Sequence, residues 1–442
     1  MKLKMKAANL IDALDIVGVV EARSLTAQQN SSAYLFKCEV RGEEPWCSIY
    51  SRGSNQVARV EFKLEELDGP GDMFTIPTHH INMWKKVPDD DITFESSTET
   101  KTDGSAFVVK ASSTSGMKHE HTSYDPRLIA TLDKDFEDAK EAAKALPETS
   151  YQYYPGILKE ALGEASPFLP KGDKKDVAGD HLNTVQIFDE SNPEWAKGNG
   201  HMFCSDTTRA FYFQAADFES KGFTVHSSHI PKLTEFLGKC SGRVKIYRSE
   251  HMAYAVSGKG EVFGWVHQVK THDRWRYVGL SRDKYVILIP KVTLLNAIDA
   301  TVESHVDRVK LVYTHNNGAA GGGHTIHFTA AASSNKFESF PVQTFDKEGE
   351  PSLEENFEFF VNLDHFKSLF SDAKAQRIEL RVTIINKDDS HPKGGALFRT
   401  IDEFQMFSNG KLFSISDKPE PGTTSKETAY PCKVTRCMSS MT

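Results

Sequence analysis

The chain has 442 residues, of which 39% are hydrophobic and 26% are charged, and its formal net charge is -8. This composition is ordinary for a soluble globular protein, and the length suggests about three domains. The negative balance argues against nucleic-acid binding over the whole surface but leaves room for a local basic lining. Because no apolar run reaches the roughly 18 residues of a membrane span, no span is expected. The six cysteines have no paired spacing, which favours a reducing, cytoplasmic setting.

The first predicted element in chain order is a helix whose apolar residues have helical spacing, Leu-Ile-Asp-Ala-Leu at 10–14. Asp12 and Asp15 interrupt this apolar stretch, so it is predicted as a helix and not as a secretion signal. Two later segments resemble it, Leu-Lys-Glu-Ala-Leu at 158–162 and Leu-Leu-Asn-Ala-Ile at 294–298. The same helix is therefore predicted three times.

A second signal also occurs three times. It is a short strand, then a helix with an i, i+3 apolar face, then a strand of alternating pattern, and the copies begin at Phe74, Phe223 and Phe359. The two signals lie 64, 65 and 65 residues apart in the three copies. Because two independent motifs keep one offset, we predict a triplicated α+β unit of two helices packed on antiparallel sheet. The predicted domains are 1–148, 149–282 and 283–416, followed by a polar C-terminal tail over 417–442.

Three segments of this triplicated chain resemble the bacterial β-type DNA sliding clamp, the DNA polymerase III subunit beta. They are Phe-Phe-Val-Asn at 359–362, Cys-Ser-Asp-Thr-Thr-Arg-Ala at 204–210 and Asp-Arg-Trp-Arg-Tyr-Val at 273–278. The resemblance covers about 1–416 and implies a processivity factor without catalytic chemistry or cofactor. It also implies a head-to-tail homodimer ring around double-stranded DNA, with a DNA polymerase and a clamp loader as partners. The divergence from the family suggests a bacteriophage or other mobile replicon.

A ring that slides on DNA has to contact phosphates without reading bases, so its inner helices need basic side chains. The six predicted helix windows hold 18 Lys and Arg against 12 Asp and Glu, a net +6, which leaves -14 for the rest of the chain. The predicted DNA contacts are Lys85, Lys86, Lys159, Lys171, Lys232, Lys239, Lys367 and Lys374. The resemblance adds Arg23. His80, His229 and His365 occupy one place in the three repeats, where a pore-facing role and a local hydrogen bond both remain open.

The resemblance also implies a groove for short partner peptides, which needs apolar depth and a few polar groups. Its predicted residues are Ser205, Asp206, Thr207, Thr208, Arg209, Ala210, Gly279, Leu280 and Met406. Thr207 and Thr208 stand where the family has Gly-His, so the pocket is expected to be altered. The alternative is that 204–210 is an ordinary strand and turn.

Enzymatic and metal-binding alternatives have weaker support. Gly-Lys-Cys-Ser-Gly at 238–242 matches a nucleophile elbow by letter, but it follows a predicted helix and precedes a strand, so Cys240 is predicted at a helix end. His119 and His121 have a spacing possible for a metal, but we expect no third ligand beside them and predict no metal. Two other functions remain open: a non-catalytic assembly protein built from repeated α+β domains, and a hydrolase that uses Cys240 or a histidine cluster.

Overall fold

A computed structural model describes most of the chain. The described residues are 1–20, 32–69, 71–81, 83–101, 104–123, 128–144, 152–170, 183–189, 200–206, 208–215, 221–240, 242–267, 285–301, 308–315, 324–332, 335–371, 373–384, 394–407, 412–413 and 429–439. They form two compact units, one mainly of Met1–Gly163 and Phe223–Val269, the other mainly of Glu164–Gly222, Lys270–Phe407 and Lys411–Thr442. The division into three domains stays a prediction. Within the described ranges, no helix is long and apolar enough to cross a membrane.

The described elements are seven α-helices, two short 3-10 helices and 27 strands. The α-helices are α1 (Ala7–Val17), α2 (Thr78–Ile81), α3 (Leu128–Lys144), α4 (Pro155–Ala165), α5 (Ile230–Lys239), α6 (Lys291–Thr301) and α7 (Leu363–Ser371), and the 3-10 helices are Trp84–Lys86 and Ser166–Phe168. The strands are β1 (Lys2–Lys6), β2 (Ala33–Arg41), β3 (Glu44–Arg52), β4 (Gln56–Lys63), β5 (Glu66–Asp68), β6 (Asp72–Pro77), β7 (Asp91–Lys101), β8 (Gly104–Ser113), β9 (Lys118–Thr122), β10 (Gln152–Tyr153), β11 (Thr184–Asp189), β12 (Gly200–Ser205), β13 (Arg209–Ala215), β14 (Lys221–His226), β15 (Val244–Arg248), β16 (Met252–Val256), β17 (Val262–Val266), β18 (Tyr285–Pro290), β19 (Arg308–Thr314), β20 (His324–Ala332), β21 (Asn335–Glu338), β22 (Val342–Asp346), β23 (Phe357–Asn362), β24 (Arg377–Ile384), β25 (Gly394–Phe407), β26 (Leu412–Phe413) and β27 (Ala429–Ser439).

The first unit contains a five-stranded sheet in the order β5-β1-β7-β8-β9 and an eight-stranded sheet in the order β10-β15-β16-β17-β4-β3-β2-β6. Helices cover both faces of the larger sheet. On one face, Phe136 of α3 packs in a buried cluster with Val262 of β17. On the other, Phe236 of α5 stacks on Phe263, with ring centroids 5.7 Å apart. Because Val262 and Phe263 are consecutive in β17, their side chains point to opposite faces.

The repeated pattern predicted from the sequence is present in the described elements. In each copy, the strand before the first helix pairs antiparallel with the strand after the second helix, and these pairs are β1 with β7, β10 with β15 and β18 with β24. The leucine that opens the first-helix motif is fully buried in each copy, at Leu10, Leu158 and Leu294. The α+β fold class is therefore confirmed.

The second helix of the first copy is shorter than predicted. Instead of one helix over 77–88, the described residues form α2 and then a 3-10 turn at Trp84–Lys86. Val87 has a non-helical backbone, with φ -132° and ψ 61°. Pro88 follows it, and a proline disfavours the helical conformation in the residue before it.

In the second unit, the strands β11-β12-β13-β27-β25-β24-β18-β22-β20-β19-β23 are neighbours in that order. The prediction of a polar tail over 417–442 was wrong for residues 429–439, because these residues form β27. This strand pairs with β13 on one side and with β25 on the other. Cys432, Val434 and Met438 lie on one face of the strand together with Arg436, and all four side chains are buried. Residues 417–428 and 440–442 of the predicted tail lie outside the described residues.

Candidate nucleic-acid interface and partner site

Seven of the eight lysines predicted to contact DNA lie on or beside the repeated helices. Lys85 and Lys86 belong to the 3-10 turn after α2, Lys159 to α4, Lys232 and Lys239 to α5 and Lys367 to α7, and Lys374 follows α7. Lys232 and Lys367 are half-buried, and the other five are exposed. Arg23 and Lys171 lie outside the described residues. Basic side chains therefore occur on or beside the second helix of each copy.

Three of these lysines approach one another in the first unit, and we call Lys85, Lys159 and Lys239 the lysine cluster. Lys239 donates a hydrogen bond from Nζ to the carbonyl of Asp15, at 2.6 Å. Lys85 Nζ lies 3.5 Å from the Asp15 carboxylate. Lys159 approaches Gly238, the residue before Lys239. A Cβ at this position would lie only 3.2 Å from the Lys159 Nζ, so the glycine leaves room for the lysine side chain. The 3-10 turn, α4 and α5 thus present positive charge together beside α1.

Several of the predicted lysines already face carboxylates. Glu235 lies 3.7 Å from Lys232 and 3.6 Å from Lys239, and Asp299 lies 2.6 Å from Lys367. Exposed ion pairs of this kind contribute only about 0–1 kcal/mol, so a phosphate group can compete for the ammonium. Within the described residues, Lys86 and Lys159 form no ion pair. Their charges are the most available to an anion.

The predicted groove segment at 205–210 is a tight hairpin between β12 and β13, built around Asp206. One carboxylate oxygen of Asp206 accepts hydrogen bonds from the backbone N–H of Thr208 and Arg209, at 3.1 and 2.8 Å, and from the Thr208 hydroxyl at 2.9 Å. The other oxygen accepts from the Arg209 guanidinium at 2.6 Å. Burial opposes the charge on Asp206, but Arg209 outweighs it and keeps the pKa of this carboxyl below its usual range.

Arg209 is buried, and its guanidinium serves the fold. Besides Asp206 it donates to the carbonyl of Pro167 at 3.0 Å and to the hydroxyl of Ser368 at 3.3 Å, and it lies over the ring of Phe168. The hairpin is thereby fixed to α7 and to the 3-10 helix after α4. These donors are used inside the protein, so Arg209 holds the hairpin in place, and its part in a groove surface stays a prediction.

Among the predicted groove residues that the structure describes, Met406 lies apart from this hairpin. Ala210 and Met406 are buried. On β27, Met438 pairs with Arg209, whereas Tyr430 pairs with Met406. Eight residues of strand span roughly 27 Å, so Met406 lies far along the sheet from the hairpin. Thr207, Gly279 and Leu280 lie outside the described residues, and Thr208 is the half-buried side chain of the described tip.

The residue that the sequence analysis missed beside the hairpin is Met438. It pairs with Arg209 of β13 and with Phe398 of β25, and its side chain is buried. A partial signal was available, because Cys432, Val434 and Met438 recur at even spacing as in a strand, although Arg436 interrupts the apolar set. The many polar residues of 417–442 concealed it.

The three histidines at equivalent positions have different surroundings. His229 is buried, and its Nδ1 accepts a hydrogen bond from the Gln56 amide at 2.8 Å. Burial, with a contribution from His226, lowers the pKa of His229 to about 4. His229 is therefore held by a hydrogen bond to a residue distant in the sequence, and not by a local one. His365 Nδ1 lies 3.4 Å from the Thr208 hydroxyl.

His80 lies in a cluster with two other histidines. We expected no third ligand beside His119 and His121, and this was wrong. One nitrogen from each of the three rings lies within 4.8 Å of the other two. The sequence separation of α2 and β9 concealed this contact.

Cys240 is at a helix end, as predicted, and not in a nucleophile elbow. It follows α5 directly, and its thiol donates to the carbonyl of Phe236 at 3.3 Å. Burial raises the pKa of this thiol to about 12. Because the thiolate is the nucleophilic form, a thiol with a raised pKa does not suit a catalytic nucleophile.

Paired helices on antiparallel sheet, repeated with equivalent strand pairings, define the class as a clamp-type α+β fold. No protein-family model and no curated protein matches the sequence. Among solved structures, the DNA polymerase sliding clamp from Caulobacter crescentus is 14% identical with a TM-score of 0.60, and the DNA polymerase III subunit beta from Pseudomonas aeruginosa is 13% identical with a TM-score of 0.60. The Helicobacter pylori beta clamp bound to a DNA ligase peptide is 14% identical with a TM-score of 0.54. Each match covers 100% of both chains, so this chain has the fold of the bacterial beta sliding clamps, and the resemblance drawn from the sequence is confirmed at the level of the fold.

Proposed function

We propose that this protein is a DNA sliding clamp, a non-catalytic ring that encircles double-stranded DNA and tethers a DNA polymerase. The observation that carries the proposal is the likeness to sliding clamps over 100% of both chains. The lysines on the repeated helices support it independently, because they supply the charge that a DNA-encircling surface requires.

The proposed mechanism uses charge without sequence reading. Lysine ammonium groups act as point charges with flexible stems, so they can exchange one phosphate for the next as the ring moves. Lys86 and Lys159 are the strongest candidates, since they form no ion pair within the described residues. The ring itself is proposed as a head-to-tail homodimer, in which both copies contribute their lysines.

The proposed partners are the polymerase and a clamp loader, which would present short peptides. The Helicobacter pylori beta clamp is described as bound to a DNA ligase peptide. By analogy, we place a peptide site near the 205–210 hairpin, with Thr208 at its half-buried tip and Thr207, Gly279 and Leu280 as further proposed residues. Arg209 and Asp206 would hold the hairpin in position beneath it.

The experiment compares retention on DNA of different topology. The protein is incubated with nicked circular plasmid and a clamp loader, washed at high salt, and followed by gel filtration before and after the plasmid is linearised. A ring is expected to resist salt on the circle and to leave the linear form, because retention is then topological. Salt-resistant binding that ignores linearisation would contradict a clamp.

A second measurement separates the clamp from a structural assembly protein built of similar domains. Sedimentation should give a discrete dimer, and electron micrographs of negatively stained particles should give closed rings. Open filaments or larger assemblies, combined with indifference to DNA topology, would favour the assembly protein instead.

A further inference from the structure

Three histidines converge in the first unit from two segments distant in the chain. His80 belongs to α2, and His119 and His121 belong to β9. The ring centroids of His80 and His119 are 3.9 Å apart, those of His80 and His121 are 5.6 Å apart, and those of His119 and His121 are 5.5 Å apart. His119 and His121 share one face of β9 because alternate residues of a strand point the same way.

The surrounding hydrogen bonds hold these rings in place. Thr75, near the end of β6, accepts a hydrogen bond at its carbonyl from Nε2 of His121, at 2.8 Å. The backbone N–H of Thr75 donates to the hydroxyl of Ser123, just after β9, at 2.8 Å. Since α2 follows β6 directly, these two bonds bring His80 onto β9.

Each ring also offers a nitrogen with an unused lone pair. A carbonyl only accepts, so Nε2 of His121 carries the hydrogen and Nδ1 is the free acceptor. Nδ1 of His121, Nδ1 of His80 and Nε2 of His119 are buried and have no hydrogen-bond partner among the described residues. Leaving three polar atoms buried and unpaired is costly, unless a ligand satisfies them.

The protonation state of the rings suits a metal. Burial lowers the pKa of all three, and the neighbouring imidazoles lower it further, to about 4 for His80. The rings are therefore neutral near pH 7, which is the form that coordinates metals. His80 and His119 are half-buried, so the cluster lies close to solvent.

We propose that His80, His119 and His121 form a zinc site with three imidazole ligands and a fourth position open to water. Imidazole nitrogens without thiolates suit Zn²⁺, and Zn–N distances of about 2.0–2.1 Å require ligand atoms roughly 3.4 Å apart. The present separations are within 4.8 Å, so ligation would require the rings to move closer together. The carbonyl of Thr75 acts as the outer partner that fixes the His121 tautomer, as is usual for zinc-bound histidine.

The ion would fasten α2 to β9. A helix of four residues does not persist by itself, because its formation is cooperative and its nucleus is costly. Zinc would stabilise this turn and the segment with Lys85 and Lys86 that follows it. The effect of zinc on DNA contacts by Lys85 and Lys86 rests on the proposed function. The metal site itself does not depend on that function.

The first test measures zinc binding by the full-length protein without a histidine tag. The protein is treated with chelator and titrated with ZnCl2 against a chromogenic competitor. One zinc per chain is expected, and His80→Ala, His119→Ala and His121→Ala should each weaken binding by at least about tenfold. His251→Ala is the control, because this exposed histidine lies outside the cluster. Absence of stoichiometric uptake, or variants that bind like His251→Ala, would overturn the site.

The second test uses the unmodified protein, so it does not depend on the folding of a variant. X-ray absorption of the zinc-loaded chain should give nitrogen scatterers at about 2.0–2.1 Å with imidazole outer shells. Sulfur scatterers at about 2.3 Å would place the metal on cysteines instead, such as Cys38 and Cys47, whose Sγ atoms are 3.7 Å apart. That result would also overturn the proposal, whatever the outcome of the DNA experiments.

Discussion

The ammonium of Lys239 donates a hydrogen bond to the backbone carbonyl of Asp15, with 2.6 Å between Nζ and O. The last carbonyls of a helix lack intrahelical partners. At the end of α1, those of Leu14, Ile16 and Val17 accept from Gly18, Val19 and Val20. Lys239 supplies the donor for the remaining one, and its positive charge also suits a helix C-terminus. This lysine therefore has a structural role, which makes it a poor residue for testing DNA contact.

The DNA-contact prediction is better tested at lysines whose partners are exposed carboxylates. We expect Lys85→Glu, Lys232→Glu and Lys367→Glu together to weaken DNA retention at physiological salt, because phosphate contacts are replaced by repulsion. The matched control is Lys63→Glu, Lys110→Glu and Lys144→Glu, which changes the net charge equally at exposed positions off the repeated helices. Equal losses in both triple variants would mean that only total charge matters.

Arg209→Ala is expected to destabilise the second unit by about 3–5 kcal/mol, because it leaves the Asp206 carboxylate buried without its cation. Thr208→Ala removes one of several donors to Asp206, so it is expected to lower stability by about 1–2 kcal/mol and to weaken binding of a polymerase or loader peptide. Denaturant unfolding and peptide titration distinguish these effects. If Arg209→Ala keeps full stability and loses only peptide binding, the buried role assigned to this arginine is incorrect.

The C-terminal strand β27 is held by a buried charge network. Arg436 donates to the buried carboxylate of Asp402 in β25 and, at 2.7 Å, to Glu164. Arg436→Ala should therefore lower the free energy of unfolding by about 3–5 kcal/mol. Lys433→Ala, on the same strand with an exposed ion pair to Glu403, should change it by less than about 1 kcal/mol. Chemical denaturation gives both values, and similar effects for the two variants would contradict the network.

The acid sensitivity of the first unit is expected to depend on Glu61. Burial would raise the pKa of this carboxyl, but Arg41, Arg59 and Ser48 outweigh it and lower the pKa from 4.5 to about 2. Because the folded-state pKa is depressed, the stabilisation is complete above pH 4.5 and is lost as the pH falls toward 2. The stability difference between the protein and Glu61→Gln should therefore shrink over that interval.

Denaturant unfolding at pH 7, 5, 4 and 3 measures this difference. Glu44→Gln is the control, since the exposed pair of Glu44 with Lys63 should leave stability nearly unchanged at every pH. A constant difference for Glu61→Gln across the series would show that the carboxylate charge does not contribute.

The sequence alone determined the repeated elements and their buried faces. Leu10, Leu158 and Leu294 were placed correctly because helical periodicity of apolar residues reports burial directly. The equal offsets between two motifs then gave the repeat. The helix end at Cys240 was also predicted correctly, because the helix before it and the strand after it are both indicated by residues close to it in the sequence.

Only the tertiary structure decided which distant residues meet. The His80 contact with His119 and His121, the insertion of β27 between β13 and β25 and the burial of Arg209 against Ser368 each join segments far apart in the chain. A local pattern records that a side chain is buried or that a strand has an apolar face. The partner is selected by sheet register and by the packing of the whole core, which no short window of sequence contains.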